Sequence, residues 1–267
     1  MTELRDLWSE RFREPVYVLT ADQDWAPEWA MAKFLRFLSE AEVPVHLFVT
    51  NSSPALEEAA SPQVTVGAHP NFMAGSSHGS APEEVIATCR ALVPDARTVR
   101  SHAHAEDSHT LALLIDAGFD TDSNLSLFLQ PGIVPLIHST GILRLPVFLD
   151  DDSLLLWDRD GRLDLEPVKR ALATPGLKIL NFHPTLFAIN CPSGSYYDTH
   201  RDDLYASGED PVAPFEGRGI ATVLEELLDW LRSEGREVRA FPEIAAGTWR
   251  DLEAIDEGSL YGWGRTG

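Results

Sequence analysis

The sequence has 267 residues, 44% of them hydrophobic, and carries 42 acidic against 21 basic side chains for a formal charge of −21. Such a balance opposes binding to phosphate backbones, which relies on basic side chains and counterion release, so no nucleic acid partner is expected. No apolar run reaches the roughly 20 residues that span a bilayer, and the opening MTELRDLWSERFREP lacks the apolar segment of an export signal, so a soluble, cytoplasmic chain is expected.

Length and apolar content suit one domain over residues 1-267, with 1-15 as an N-terminal extension ahead of the first strand. That strand is the apolar run VYVLT at 16–20, and it leads into Asp22 and Asp24. In a strand, residues two apart share a face, so both carboxylates would project together at its carboxyl end. Two like charges that close resist joint ionisation unless a cation or a shared proton intervenes, which leaves a metal and acid–base site or a solvated turn.

Helical periodicity follows at 28–41, then strands at 45–49 and 64–67, a helix at 82–92, a strand at 97–100 and a helix at 108–117. A strand at 143–148, a helix at 165–173, a strand at 178–182, a helix at 219–234 and a strand at 237–241 complete the series. Strand alternating with helix implies crossover units and a mostly parallel sheet; the expected fold is a seven- or eight-stranded α/β barrel. Two connections, 69–81 and 183–215, are long and show little pattern, and loops of that length are more often functional than idle. Cys89 falls on a helix and Cys191 in a loop, without metal-like spacing, so both are expected as reduced thiols.

Active sites of parallel α/β folds gather at the carboxyl ends of strands. Those ends supply Asp22 and Asp24, then His69 in VTVGAHPNF, then Arg100, His102 and His104 in RTVRSHAHAED, and His183 in KILNFHP. Singly, each has a plain structural role available: an Asp after a strand caps a helix or makes a turn, and a histidine beside proline is usually a hydrogen-bonded support. Their occurrence in chain order on successive strand ends favours a site. His46, His109, His138 and His200 lie in a strand, a helix, an irregular segment and an acidic loop, and are expected to be structural.

With these residues in place the chain resembles the NodB-type polysaccharide deacetylases of carbohydrate esterase family four, metal-dependent amide hydrolases on a deformed (β/α) barrel. The closer likeness is to a divergent subgroup of bacterial surface-saccharide biosynthesis. It rests on HPNF at 69–72, RSH at 100–102, DSN at 122–124, RLPVF with its following acids at 144–152, and NFHP at 181–184. The resemblance runs from about residue 16 to about 245 and implies Asp22 as general base, Asp24 and His69 as metal ligands, Arg100 as the group that orients the base, and His183 as general acid. The family's second motif ordinarily supplies two histidines four apart, and here Met73 stands at the second position. His102 is the first choice for the missing ligand because a rigid strand end holds metal geometry well; His78, on a flexible loop, is the second, and His104 is a candidate partner behind the ligands.

One Asp and two His suit one divalent ion, zinc or another borderline metal, with a position open for water as the nucleophile. The implied reaction removes an acetyl or other acyl group from the amide of an N-acetylated sugar or related small substrate, with Asp22 taking the water's proton and His183 protonating the amine. Trp25, with Trp29 and Phe72, would wall the sugar or acyl group, while Asn71, Asn124 and Arg144 would read hydroxyls or charge. The Asp150–Asp152 run is equally a substrate reader or a solvated turn. Without an export signal, a nucleotide-linked or lipid-linked sugar is the expected partner. The alternatives are an amidohydrolase-type barrel, suggested by His102 and His104, and a metal-free saccharide-binding pseudoenzyme.

Overall fold

The computed structural model describes residues 4–158, 161–206 and 212–256. Its strands are β1 Pro15–Asp22, β2 Val45–Val49, β3 Val64–Ala68, β4 Thr98–Val99, β5 Thr121–Asp122, β6 Leu136–Ile137, β7 Leu143–Arg144, β8 Val147–Asp150, β9 Gly176–Phe182 and β10 Val238–Arg239. They form one sheet in the order β6-β7-β5-β4-β3-β2-β1-β9-β8, with β10 beside the start of β1. The β6–β7 pair is antiparallel and the other named pairs are parallel.

Chain connectivity makes this sheet curl. β7 and β8 stand near opposite ends of the order, yet only Leu145 and Pro146 separate them in the chain. The two ends are therefore drawn together, and Leu145 N–H to the Asp122 carbonyl and Val147 N–H to the Leu125 carbonyl, both 2.8 Å, stitch the seam. The result is a curled mixed sheet surrounded by helices, a deformed (β/α) barrel. The strand expected at 143–148 is cut in two at Pro146, which has no N–H to give a ladder. β5 and β6, two residues each, are too short to show a period, so the seven or eight expected strands become ten segments.

The five expected helices are present at Glu28–Glu40, Pro82–Leu92, Ser108–Asp116, Glu166–Leu172 and Ile220–Ser233. Ile220–Ser233 buries Ile220, Val223, Leu224, Leu227, Leu228 and Leu231, the single stripe that its periodicity dictates. Asp107 starts Ser108–Asp116 with a reciprocal cap: its carboxylate accepts the Thr110 N–H at 2.8 Å, and Thr110 Oγ1 accepts its own N–H at 2.9 Å. Additional helices occupy Leu4–Arg11, Pro54–Glu58, Asp151–Trp157, Pro184–Ala188, Gly194–Leu204 and Phe241–Asp256. The N-terminal segment is thus part of the packing: Trp8 and Phe12 are buried in the same apolar cluster as the strands.

β9 is buried along its whole length, and that includes Lys178. The Lys178 ammonium lies 4.0 Å above the Phe148 ring and donates to Thr174 Oγ1 at 3.0 Å. Burial lowers its pKa to about 8 from the ordinary 10.5, so between those values the unfolded chain binds the extra proton and stability rises with pH. Lys178→Met, similar in volume and uncharged, is expected to raise stability near neutral pH by about 1 kcal/mol and Tm by a few degrees. A thermal melt showing a lower Tm contradicts this reading of the core.

Candidate metal centre and active site

The carboxyl ends of β1, β3, β4, β8 and β9 converge on one side of the sheet. After Asp22 the chain leaves the extended conformation: Asp24 and Trp25 take left-handed angles, φ 47° and 53°. Asp and Asn tolerate that region better than bulky residues, and the turn is held by Trp25 N–H donating to Thr50 Oγ1 at 2.9 Å and by Thr50 N–H donating to Gln23 Oε1 at 2.9 Å. A second left-handed pair, Ala103 and His104 at φ 54° and 52°, bends the chain after β4. His102 N–H donates to the Pro70 carbonyl at 2.9 Å and ties this turn to the loop behind His69. Two strained turns facing each other are a pattern of functional sites, where surrounding structure holds conformations that a free chain avoids.

These turns aim three side chains at one point. His69 Nε2 lies 2.9 Å and His102 Nδ1 2.8 Å from the same oxygen, Asp24 Oδ1. The donor atoms of Asp24, His69 and His102 all lie within 4.8 Å of one another. Burial by itself would raise the Asp24 carboxyl; hydrogen bonds from His102, His183 and His69 outweigh it and hold the group well below the carboxylate range. The bond to Asp24 raises His102 despite partial burial. Two imidazole nitrogens and one ionised carboxylate are the donor set of a borderline divalent cation. Among the described residues the buried Nδ1 of His69 has no hydrogen-bond partner, and Asp22 Oδ1 stands 3.9 Å away, so ring orientation is set from the Nε2 side. The residues fit a metal.

The other candidates for the third position point elsewhere. Met73 is exposed to solvent. His78 spends both ring nitrogens, Nε2 donating to the Thr50 carbonyl at 2.7 Å and Nδ1 accepting from Asn71 N–H at 3.2 Å. His104 Nε2 faces Asp150 Oδ2 at 3.9 Å, so the His-x-His pair divides between two carboxylates rather than closing on one ion.

Beside the cluster, Asp22 accepts from the buried Arg100 guanidinium at 2.9 Å on Oδ1 and from Asn181 Nδ2 at 2.9 Å on Oδ2. Arg100 is completely enclosed; it also donates to the Ser123 carbonyl at 3.0 Å and Ser123 Oγ at 2.7 Å, and lies 4.3 Å above the Phe48 ring. On the other side, His183 Nδ1 is 2.6 Å from Asp151 Oδ1, and its backbone N–H donates to Asp151 Oδ2 at 2.8 Å. Its Nε2 stands 3.5 Å from Asp24 Oδ2 and 4.0 Å from Asp22 Oδ2. Burial would depress His183, but the charges of Asp151 and Asp152 outweigh it and raise the imidazole well above its ordinary value. Burial also pushes the Asp151 carboxyl up, to about 7, against the charge of His183, which lowers it.

Asp151, the carboxylate that holds His183, is a residue that sequence reasoning did not separate from the acidic run around it. The available signal was its place just after a buried apolar strand, PVFLD, the same setting that draws attention to Asp22. Of the expected substrate readers, Trp25 packs edge-on against His102 with ring centres 5.4 Å apart. Asn71 closes a local turn, its Oδ1 accepting from Met73 N–H at 2.9 Å. Asn124 and Arg144 are engaged internally. Asn124 accepts Ser101 N–H at 2.7 Å and donates to Glu106 at 2.8 Å; Arg144 pairs with Glu106 at 2.8 Å and Asp122 at 3.2 Å. Both brace the loop that carries His102.

A curled α/β sheet with a His–His–Asp cluster at its strand ends, flanked by an Arg-held carboxylate and an Asp-held histidine, defines a deacetylase-type barrel with a metal-binding cluster. A family model described as WbmS-like, polysaccharide deacetylase, matches residues 19–201. The chain belongs to that family. Among solved structures it is similar to the WbmS protein of Bordetella bronchiseptica, assigned as a polysaccharide deacetylase involved in O-antigen biosynthesis: TM-score 0.72, 24% identity, 83% of this chain and 93% of that one covered. A protein of Mycobacterium smegmatis assigned as a polysaccharide deacetylase aligns with TM-score 0.51 and 16% identity over 86% of this chain and 94% of that one. A variant of the peptidoglycan deacetylase PdaC from Bacillus subtilis aligns with TM-score 0.50 and 13% identity over 91% and 96%. At these identities the likeness establishes the fold. No curated protein matches the sequence.

The convergence on Asp24 Oδ1 generates a direct expectation. Protein loaded with zinc and dialysed should retain about one ion per chain by elemental analysis, and Asp24→Ala, His69→Ala and His102→Ala should each lose it. His78→Ala should keep it. Retention by the Asp24 variant would contradict the assignment.

Proposed function

We propose that the protein hydrolyses the amide of an N-acetylated sugar or a related small N-acyl substrate, releasing the carboxylic acid and the free amine. The observation that carries this reading is the placement of His183 Nε2, 3.5 Å from Asp24 and 4.0 Å from Asp22, opposite the Arg100-held base. Asp24, His69 and His102 would hold the cation, for which we propose zinc. When bound, the ion supplies Lewis acidity toward water and the amide carbonyl.

The chain's own groups then divide the proton work. Asp22 accepts the proton of the attacking water, its carboxylate fixed on both oxygens by Arg100 and Asn181. His183, with Nδ1 committed to Asp151, presents Nε2 toward the cluster and gives its proton to the departing nitrogen as the carbon–nitrogen bond breaks. Trp25, edge-on to His102, offers an apolar wall beside the acyl group. Family membership supports a saccharide substrate, and a carrier-linked N-acetyl sugar is the form we propose.

Acetate release from N-acetylated oligosaccharides by the zinc-loaded protein tests the reading. Asp22→Asn and His183→Asn should each lower kcat by about 10²- to 10⁴-fold while zinc stays bound; full activity in either contradicts the assigned roles. Asp151→Asn removes the charge that raises His183, so the alkaline limb of kcat/KM should move to lower pH. An unmoved limb would show that His183 is not the acid.

A further inference from the structure

Asn181 is a neutral side chain placed between the base and the support of the acid. It lies on β9, two residues before His183 and on the same face. Strand register sets it opposite Thr20 of β1 on one side and Asp150 of β8 on the other. It is completely buried.

Its carboxamide spends its full hydrogen-bonding capacity. Nδ2 donates one hydrogen to Asp22 Oδ2 at 2.9 Å and the other to Asp150 Oδ2 at 3.1 Å. Oδ1 accepts from Thr20 Oγ1 at 2.9 Å and from Arg100 Nη1. Only one orientation of the amide satisfies this setting, since the reverse would turn its oxygen to two carboxylates and its N–H groups to a guanidinium. Neither Asp, which when ionised cannot donate, nor Leu, nor Ser with its single hydrogen, can replace both donations.

Each donation has a consequence further along. Through Asp22 the amide fixes the oxygen that Arg100 does not hold. Asp150, in turn, accepts Asp152 N–H at 3.0 Å and starts the helix Asp151–Trp157, whose first residue grips His183 on both its ring and its backbone N–H. One amide is thus bonded to the base and, through the helix cap, to the residue that aims the acid. We propose that Asn181 is the positioning residue of this site, setting the base and acid relative to each other without touching the substrate or the metal ligands. The proposal rests on the deacetylase reading for the names of the two roles, and on hydrogen bonding alone for the coupling.

The test uses zinc-loaded wild type, Asn181→Leu and Asn181→Asp, with tetra-N-acetylchitotetraose as substrate, zinc stoichiometry measured beside kinetics, and crystal structures of the variants. Asn181→Asp keeps the shape and the acceptor oxygen and loses both donors, so it carries the same test where the leucine variant does not fold. The expected result is a kcat lowered by about 10²-fold, since small misplacements of reacting groups cost that much. KM should stay within about twofold and one zinc per chain should remain bound, with the Asp22 carboxylate rotated off its present position. Kinetics within about twofold of wild type in both variants, or loss of zinc along with activity, would overturn the proposal. A wild type that releases no acetate would count against the deacetylase reading instead. The variant structures then decide separately, because Asp22 and Asp150 unmoved without the amide would sink the coupling.

Discussion

Arg100 is a cation sealed inside the sheet, and the rest of the site is arranged around its need for acceptors. A buried guanidinium without partners costs several kcal/mol, and removing one partner of such a pair costs about 3–5 kcal/mol. Its donors are met by Asp22 and Thr20 from β1, Asn181 from β9, and Ser123 just past β5. Strands that are distant in the sheet order are thereby bound to one charge, which helps explain why the strand carboxyl ends close around a polar interior rather than an apolar one. The same pairing leaves Asp22 oriented toward the cluster.

The proposed base and acid stand close together in contrasting surroundings. Asp22 is met by donors on both oxygens. His183 is met by a carboxylate behind and further carboxylates ahead, which favour the imidazolium. The excess of negative charge at the strand ends also gives a divalent cation a favourable place beside Asp24, even though burial there opposes an isolated carboxylate.

Strand ends were the legible part of the chain. Asp22, Asp24, His69 and His183 each follow an apolar run long enough to read, Arg100 follows the short RTV, and the structure gathers all five at one end of the sheet. His102 was harder to place, because it sits just ahead of a left-handed pair, Ala103 and His104, that no periodicity announces. Asp151 hid in an acidic run whose members differ only in where the helix starts. Asn181 looked like one more residue of a buried strand, and its partners on β1 and β8 depend on a register that one chain's sequence does not display. For Asn124 and Arg144 the type of side chain suggested recognition, whereas long-range pairing with Glu106 and Asp122 decided their contacts. The strand splitting at Pro146 and the two-residue strands β5 and β6 fall below the length at which alternation carries information.

The most direct test of the account is anomalous diffraction from zinc-loaded crystals, collected on both sides of the zinc absorption edge. The account predicts a single strong peak between Asp24, His69 Nε2 and His102 Nδ1, with Asp22 and His183 on either side of it. A peak instead among Asp150, Asp152 and His183, the other acidic group able to hold an ion, or no peak at all, would contradict the assignment on which the proposed chemistry is built.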